Sequence, residues 1–154
     1  MQAAGKRLKI LVVEDSANDA QMIRTALERG GVKATLSLVG DGIEAVRYLR
    51  GEGRFRDRRL FPLPTFILSD VKMPEMDGLQ FLRWVRSYPE CSGVPIIMLS
   101  VSASDVEVEE AYELGANAYL LKPGSLNELT ELLRATCDFW SRCECRRGRA
   151  LSQY

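Results

Sequence analysis

Histidine is absent from all 154 residues. Its absence removes the commonest general base, excludes a Ser-His-Asp arrangement anywhere in the chain, and denies zinc its usual imidazole ligand. Any chemistry must rest on carboxylates, hydroxyls and amines. An excess of charge of either sign is also missing, because 21 Lys and Arg balance 21 Asp and Glu. The chain therefore lacks the positive field that nucleic-acid and anionic-membrane binders carry, and nucleic acid is not an expected partner. Long apolar runs are lacking too. Stretches such as Ile96 to Leu99 fall far short of the roughly 20 residues a membrane helix needs, and no signal-peptide core follows Lys6 and Arg7. No membrane association and a cytoplasmic location are expected. Cysteines are few, and Cys137, Cys143 and Cys145 lack the usual C-x-x-C spacing. Together with Cys91 they read as reduced thiols rather than disulfides or zinc ligands.

What is present is ordinary in amount and ordered in pattern. Hydrophobic residues make up 46% and charged residues 27%, as in a soluble globular domain of ordinary size. Short apolar runs alternate with helical patterns five times, the signature of a doubly wound α/β sheet with parallel strands. The runs are Leu8 to Val13, about Lys33 to Leu38, Thr65 to Ser69, Val94 to Leu99, and Asn117 to Leu121. Helix starts are expected at Ser16, Asp41, Asp77, Ser104 and Ser125, with Asp19, Glu44 and Glu128 at the capping distance. Expected inward faces are Ile23, Ala26 and Leu27, then Ile43, Val46 and Leu49, then Leu79, Leu82 and Val85, and finally Leu129, Leu132, Leu133 and Thr136. Between Gly51 and Pro64 the pattern lapses into a long loop holding Arg54, Arg56, Arg58 and Arg59. One domain is expected over residues 1–140, followed by a loosely ordered tail over 141–154.

Glu14, Asp15, Asp70, Ser100 and Lys122 come from four different strands, yet each lies at its strand's C-terminal end. In a parallel sheet those ends share one edge, where ligands bind at the point of strand reversal. Three carboxylates gathered there repel by about 4 kcal/mol per close pair at an effective dielectric near 20, so a compensating charge is required. Magnesium binds through one or two carboxylates and leaves positions for phosphate oxygens. Lys122 supplies a second, fixed positive charge. With charge drawn away in this manner, an Asp70 oxygen can attack phosphorus to give an aspartyl phosphate, to which Ser100 can donate a hydrogen bond.

The stretches ILVVEDS, LSDVKMPEMDG, IIMLS and ELGANAYLLKP resemble the response-regulator receiver family over about Leu8 to Trp140. The resemblance implies a flavodoxin-like, five-stranded parallel sheet of order 2-1-3-4-5. It makes Asp70 the phosphoacceptor, with Glu14, Asp15, Asp70 and the Lys72 backbone carbonyl holding magnesium. Ser100 and Lys122 match the phosphoryl-contacting pair, Tyr119 the switch aromatic that turns inward, and Lys122-Pro123 a linkage commonly cis. A histidine kinase is the implied partner. The arginine-rich loop, the GANAYLLKP run and Phe139-Trp140 are similar to stand-alone regulators of phytochrome-type histidine kinases. Three departures stand out: the cationic Lys72 at the rim, Val101 after the hydroxyl residue, and the lengthened loop before Pro64. The expected output is homodimerisation through the fourth helix, fifth strand and fifth helix, with Tyr119, Phe139 and Trp140 bordering one surface.

Rival readings fit less well. A flavin protein of this topology must cradle an anionic phosphate, which Glu14, Asp15 and Asp70 would repel. An aspartate-nucleophile phosphatase resembles D-x-D, and Lys72 occupies the second acid's place. A degenerate, binding-only receiver would usually have lost one of the acids or the lysine, and all are present.

Overall fold

The structure is a computed structural model that describes residues 7–144. Its strands are β1 (Leu8–Val13), β2 (Ala34–Val39), β3 (Phe66–Ser69), β4 (Ile96–Ser100) and β5 (Ala118–Leu121), joined by helices α1 (Ala17–Arg29), α2 (Gly42–Arg50), α3 (Gly78–Ser87), α4 (Asp105–Glu113) and α5 (Leu126–Arg142). All strand pairs are parallel and the order is β2-β1-β3-β4-β5. Every expected cap forms. Ser16, Asp41, Asp77, Ser104 and Ser125 each accept a backbone N–H three residues on, and Gln80 completes a capping box with Asp77. These side chains satisfy donors that a helix start leaves unpaired, which is why the helices begin there.

Alternation along the strands divides the core into two layers. Leu11 and Val13 of β1 join Ala45, Tyr48, Leu49, Phe81, Leu82 and Val85 on the side covered by α2, α3 and α4. Leu8, Ile10 and Val12 join Ile23, Ala26, Leu27, Leu129 and Leu133 under α1 and α5. The α2 face is rotated from the expected one: Ala45, Tyr48 and Leu49 are buried, whereas Ile43 and Val46 are half-buried. Tyr48 takes the inner position because its hydroxyl finds partners there, Ser37 at 2.9 Å and the Pro62 carbonyl at 2.8 Å.

The same alternation corrects the expected single aromatic surface. On β5, Tyr119 packs with the α2–α4 layer, while Ala118 and Leu120 face the α1–α5 layer together with Trp140. Trp140 folds back over the core edge, its ring 6.5 Å from that of Phe66. Phe139 stays 59% exposed. The two aromatics at the end of α5 therefore do not border the Tyr119 pocket. Helix α5 continues through Arg142, past the expected boundary at residue 140. Residues 145–154, which hold Cys145 and most of the expected tail, lie outside the described residues. The Lys122–Pro123 bond is trans, against the resemblance, and for an X–Pro bond the two isomers differ by only about 1 kcal/mol. Cys91 and Cys137 are buried thiols, pushed up to about 11 and about 12 chiefly by burial, and so stay protonated near neutrality. No helix among the described residues is long and apolar enough to cross a membrane.

The arginine-rich loop is packed structure rather than slack chain. A short 3-10 turn, Gly53–Phe55, buries Phe55 against Tyr48 and Phe61 with ring centroids 5.1 and 5.2 Å apart. Arg58 turns inward and donates to the carbonyls of Tyr48 and Leu49, both at 2.8 Å, and of Phe61 at 3.2 Å. It thereby joins Gly51 N–H at the Tyr48 carbonyl and serves the Leu49 carbonyl at the C-terminus of α2. Arg54 pairs with Glu44 and lies over the Phe55 ring. Arg58→Ala is expected to cost about 2 kcal/mol of stability, because hydrogen bonds to a charged group are lost and buried carbonyls are left open. Arg56→Ala, at an exposed position, should stay within about 0.5 kcal/mol. Urea denaturation of the two variants checks this, and equal midpoints would remove the capping role.

Candidate functional site

The five candidate residues converge because the last ladder bonds of the sheet run through them. Glu14 N–H donates to Val39 O at 3.0 Å, Asp70 N–H to Val13 O at 2.9 Å, and Lys122 N–H to Ser100 O at 2.7 Å. Each residue is thus pinned one step beyond its strand, with its side chain over the C-terminal edge. Carboxylate oxygens of Glu14, Asp15 and Asp70 all lie within 4.8 Å of one another. Glu14 is buried, Asp70 half-buried and Asp15 exposed, so the cluster opens to solvent on the Asp15 side.

Lys122 reaches into this cluster. Its Nζ lies 3.0 Å from Glu14 Oε2, 3.0 Å from Asp19 Oδ2 and 3.5 Å from Asp70 Oδ2, and its side chain is only 11% exposed. Asp19 is a site residue that the sequence reading used only as a capping partner of Ser16. Its signal was its place in the first turn of α1, the helix that starts from the edge where β1 ends. Burial pushes the Glu14 carboxyl up to about 7, with the Asp70 charge adding and Lys122 opposing. Burial alone would lower Lys122, but its bonds to Glu14 and Asp19 and the nearby charges outweigh that and hold it above the usual lysine range.

Asp70 is positioned from its backbone side. Its Oδ1 accepts the Val71 N–H at 2.7 Å, which leaves Oδ2 facing Lys122. A Cβ at Gly78 would stand 2.0 Å from the Asp70 carbonyl oxygen and 2.9 Å from Val71 Cα. Only glycine lets the start of α3 lie this close behind the acceptor. Gly78 is a second supporting residue whose role the sequence reading did not identify.

Ser100 is buried, and its Oγ accepts Ser102 N–H at 3.3 Å. Tyr119 is turned toward the β4–α4 loop, its hydroxyl 2.6 Å from the Ser102 carbonyl and 3.4 Å from Glu107 Oε2. Lys72 is exposed and pairs with Glu107 at 3.6 Å rather than with Asp70. Val101 is exposed and lines a small cleft with Met22, Pro123 and Lys122. Trp140 stands apart from this site, packed on the layer of α1 and α5, and exposed Phe139 lies edge-on to it.

The donor set is three hard oxygens, as a small divalent cation requires. One oxygen from each of Glu14, Asp15 and Asp70 lies within 4.8 Å of the others, and exposed Asp15 opens the cluster to solvent. The residues present therefore fit such a cation.

The response regulator receiver domain family matches this chain over residues 10–134. The response regulator Rcp1 of Synechocystis sp. (strain ATCC 27184 / PCC 6803 / Kazusa) is 30% identical over 131 residues, covering 85% of this chain and 87% of that protein. Among solved structures, the phosphorylated cyanobacterial phytochrome response regulator RcpA superposes with a TM-score of 0.82 at 31% identity, over 90% of this chain and 98% of that one. The response regulator RPA3017, in red light signalling of R. palustris, superposes with a TM-score of 0.85 at 33% identity, again over 90% and 98%.

The raised Glu14 carboxyl has a direct consequence for stability. Between its ordinary value of 4.5 and about 7 the folded chain binds more protons than the unfolded chain, so this group removes stability as pH rises through that window. Metal-free wild type should lose more stability between pH 5 and pH 7 than Glu14→Gln, which does not titrate. Chemical denaturation at both pH values measures the difference, and parallel losses would show that Glu14 carries no such shift.

Proposed function

The chain belongs to the response regulator receiver domain family of two-component systems, and on that premise we propose that Asp70 is its phosphoacceptor, read out through Ser100, Tyr119 and Lys122. The observation that carries this is the approach of Lys122 Nζ to Asp70 Oδ2 at 3.5 Å, inside a cluster of three further carboxylates, Glu14, Asp15 and Asp19. Phosphoryl transfer asks a protein mainly for positioning and charge stabilisation. Asp70 Oδ1 is held by Val71, so Oδ2 is the oxygen presented to phosphorus. As the new P–O bond forms, the bond to the donor's phosphohistidine nitrogen or acyl oxygen breaks. Lys122 meets the added charge on the phosphoryl oxygens, and Ser100 gives up Ser102 N–H to donate its hydroxyl to them. Glu14, Asp15 and Asp70, with the Lys72 backbone carbonyl, would hold magnesium, which when bound supplies positive charge to those oxygens.

The donor is read as a histidine kinase of the phytochrome type, meeting this chain in the cytoplasm. What supports it is likeness at 31% and 33% identity to regulators described as phytochrome and red-light proteins. The output is read as association with another copy of the chain. Exposed Val106, Tyr112 and Leu121 on α4 and β5 and exposed Phe139 on α5 supply apolar surface for it.

An acyl phosphate donor with magnesium should add one phosphoryl mass to the wild type and none to Asp70→Asn, by intact-mass spectrometry. A modified Asp70→Asn would reassign the acceptor. Beryllofluoride should raise the sedimentation coefficient of the wild type toward that of a dimer and do so less for Phe139→Ala. A chain monomeric in both states would rule out the dimer.

A further inference from the structure

Glu107 sits in the first turn of α4, where the positive end of the helix favours a carboxylate. Its two oxygens do different things. Oε1 faces the Lys72 ammonium at 3.6 Å, while Oε2 accepts the Ser102 hydroxyl at 3.0 Å and lies 3.4 Å from the Tyr119 hydroxyl. Tyr119 has one proton to give and the Ser102 carbonyl, at 2.6 Å, is the nearer acceptor. Glu107 therefore bonds chiefly to Ser102 and Lys72, with Tyr119 beside it. The side chain of Glu107 is 25% exposed against 68% for Lys72, so the carboxylate is the fixed partner and the lysine the movable one.

We propose that Glu107 is a positioning residue that holds the Lys72 ammonium away from Asp70 and thereby shortens the life of a phosphoryl group there, an inference that rests on the reading of Asp70 as phosphoacceptor. Lys72 follows Asp70 by two positions on the rim, and its flexible stem lets the ammonium serve either Glu107 or a phosphoryl oxygen. Phosphorylation raises the negative charge at Asp70, so the pull on Lys72 becomes a contest between two anions. Hydrolysis needs water to attack phosphorus on the side away from Asp70. The P–O bond to Asp70 then breaks, the carboxylate departs with the bonding pair, and dihydrogen phosphate carries off the oxygen and both protons of the water. An ammonium drawn over the phosphoryl group obstructs that water. Glu107 draws it back and keeps the path open.

Glu107→Gln tests this selectively, because the amide oxygen still accepts from Ser102 while the charge that holds Lys72 is gone. The full chain is phosphorylated with an acyl phosphate and magnesium, the donor is removed, and loss of the phosphoryl mass is followed in time. Partly exposed ion pairs bias an equilibrium modestly, so the half-life should lengthen about two- to fivefold. The effect should vanish in a Lys72→Ala background, which keeps the backbone carbonyl, and Glu109→Gln, at an exposed position on the same helix, should leave the half-life at the wild-type value. In the unphosphorylated protein the Lys72 Cε–Hε NMR signal should move in Glu107→Gln, which a purely structural role for Glu107 would not require. An unchanged half-life in Glu107→Gln, or an equal change with and without Lys72, overturns the inference while leaving Asp70 as acceptor. Failure of the wild type to gain phosphoryl mass overturns both.

Discussion

A single ammonium, that of Lys122, sits where the C-terminal edge of the sheet would otherwise gather only negative charge. Glu14 and Asp70 are brought together by the ladder itself, through the bonds that pin each one step beyond its strand. The fold cannot separate them without losing those bonds. Lys122 touches Glu14, Asp19 and Asp70 from the far side of the sheet, and its own backbone is tied to Ser100. Removing one partner of a buried ion pair typically costs about 3–5 kcal/mol, since the other charge is left in a poor dielectric. The reactive geometry and the integrity of this edge are therefore one constraint. Beside the Lys122 ammonium, Glu14, Asp15 and Asp70 each bring a carboxylate oxygen within 4.8 Å of the others, a set that fits a small divalent cation.

The two sides of the sheet divide the work. On the α2–α4 side, Lys72, Glu107, Ser102 and Tyr119 form a continuous set of polar contacts from the rim of the Asp70 site to β5. Ser100 stands at its head, its hydroxyl accepting Ser102 N–H. On the α1–α5 side the apolar cluster is closed by Trp140 over Phe66.

Much of this was legible beforehand. Parallel strands, helix caps and the convergence of Glu14, Asp15, Asp70, Ser100 and Lys122 follow from local rules. Apolar runs specify strands, side-chain oxygens specify helix starts, and a parallel sheet puts all strand ends on one edge. Asp19 and Gly78 were harder to read. Asp19 has a sufficient local explanation in the α1 cap, and the need for glycine at position 78 arises only once α3 lies against the Asp70 carbonyl. The packing of the arginine-rich loop was hidden for a related reason. Arg58 has the composition of a surface residue, yet its guanidinium finds carbonyls at the end of α2 that no local pattern reveals.

By itself the sequence determined which polar residues meet at one sheet edge and which strand each one ends, because these depend on order along the chain and on the period of its apolar residues. Only the tertiary structure decided which charges pair. Lys122 could not be assigned to Glu14, Asp19 and Asp70, nor Lys72 to Glu107, from spacing, since these partners lie on different elements and their distances depend on how helices seat on the sheet. It likewise decided that Tyr119 and Trp140 fall in opposite layers. That outcome depends on the registry of β5 against β4 and on the length of α5, a long-range packing result to which no local rule applies.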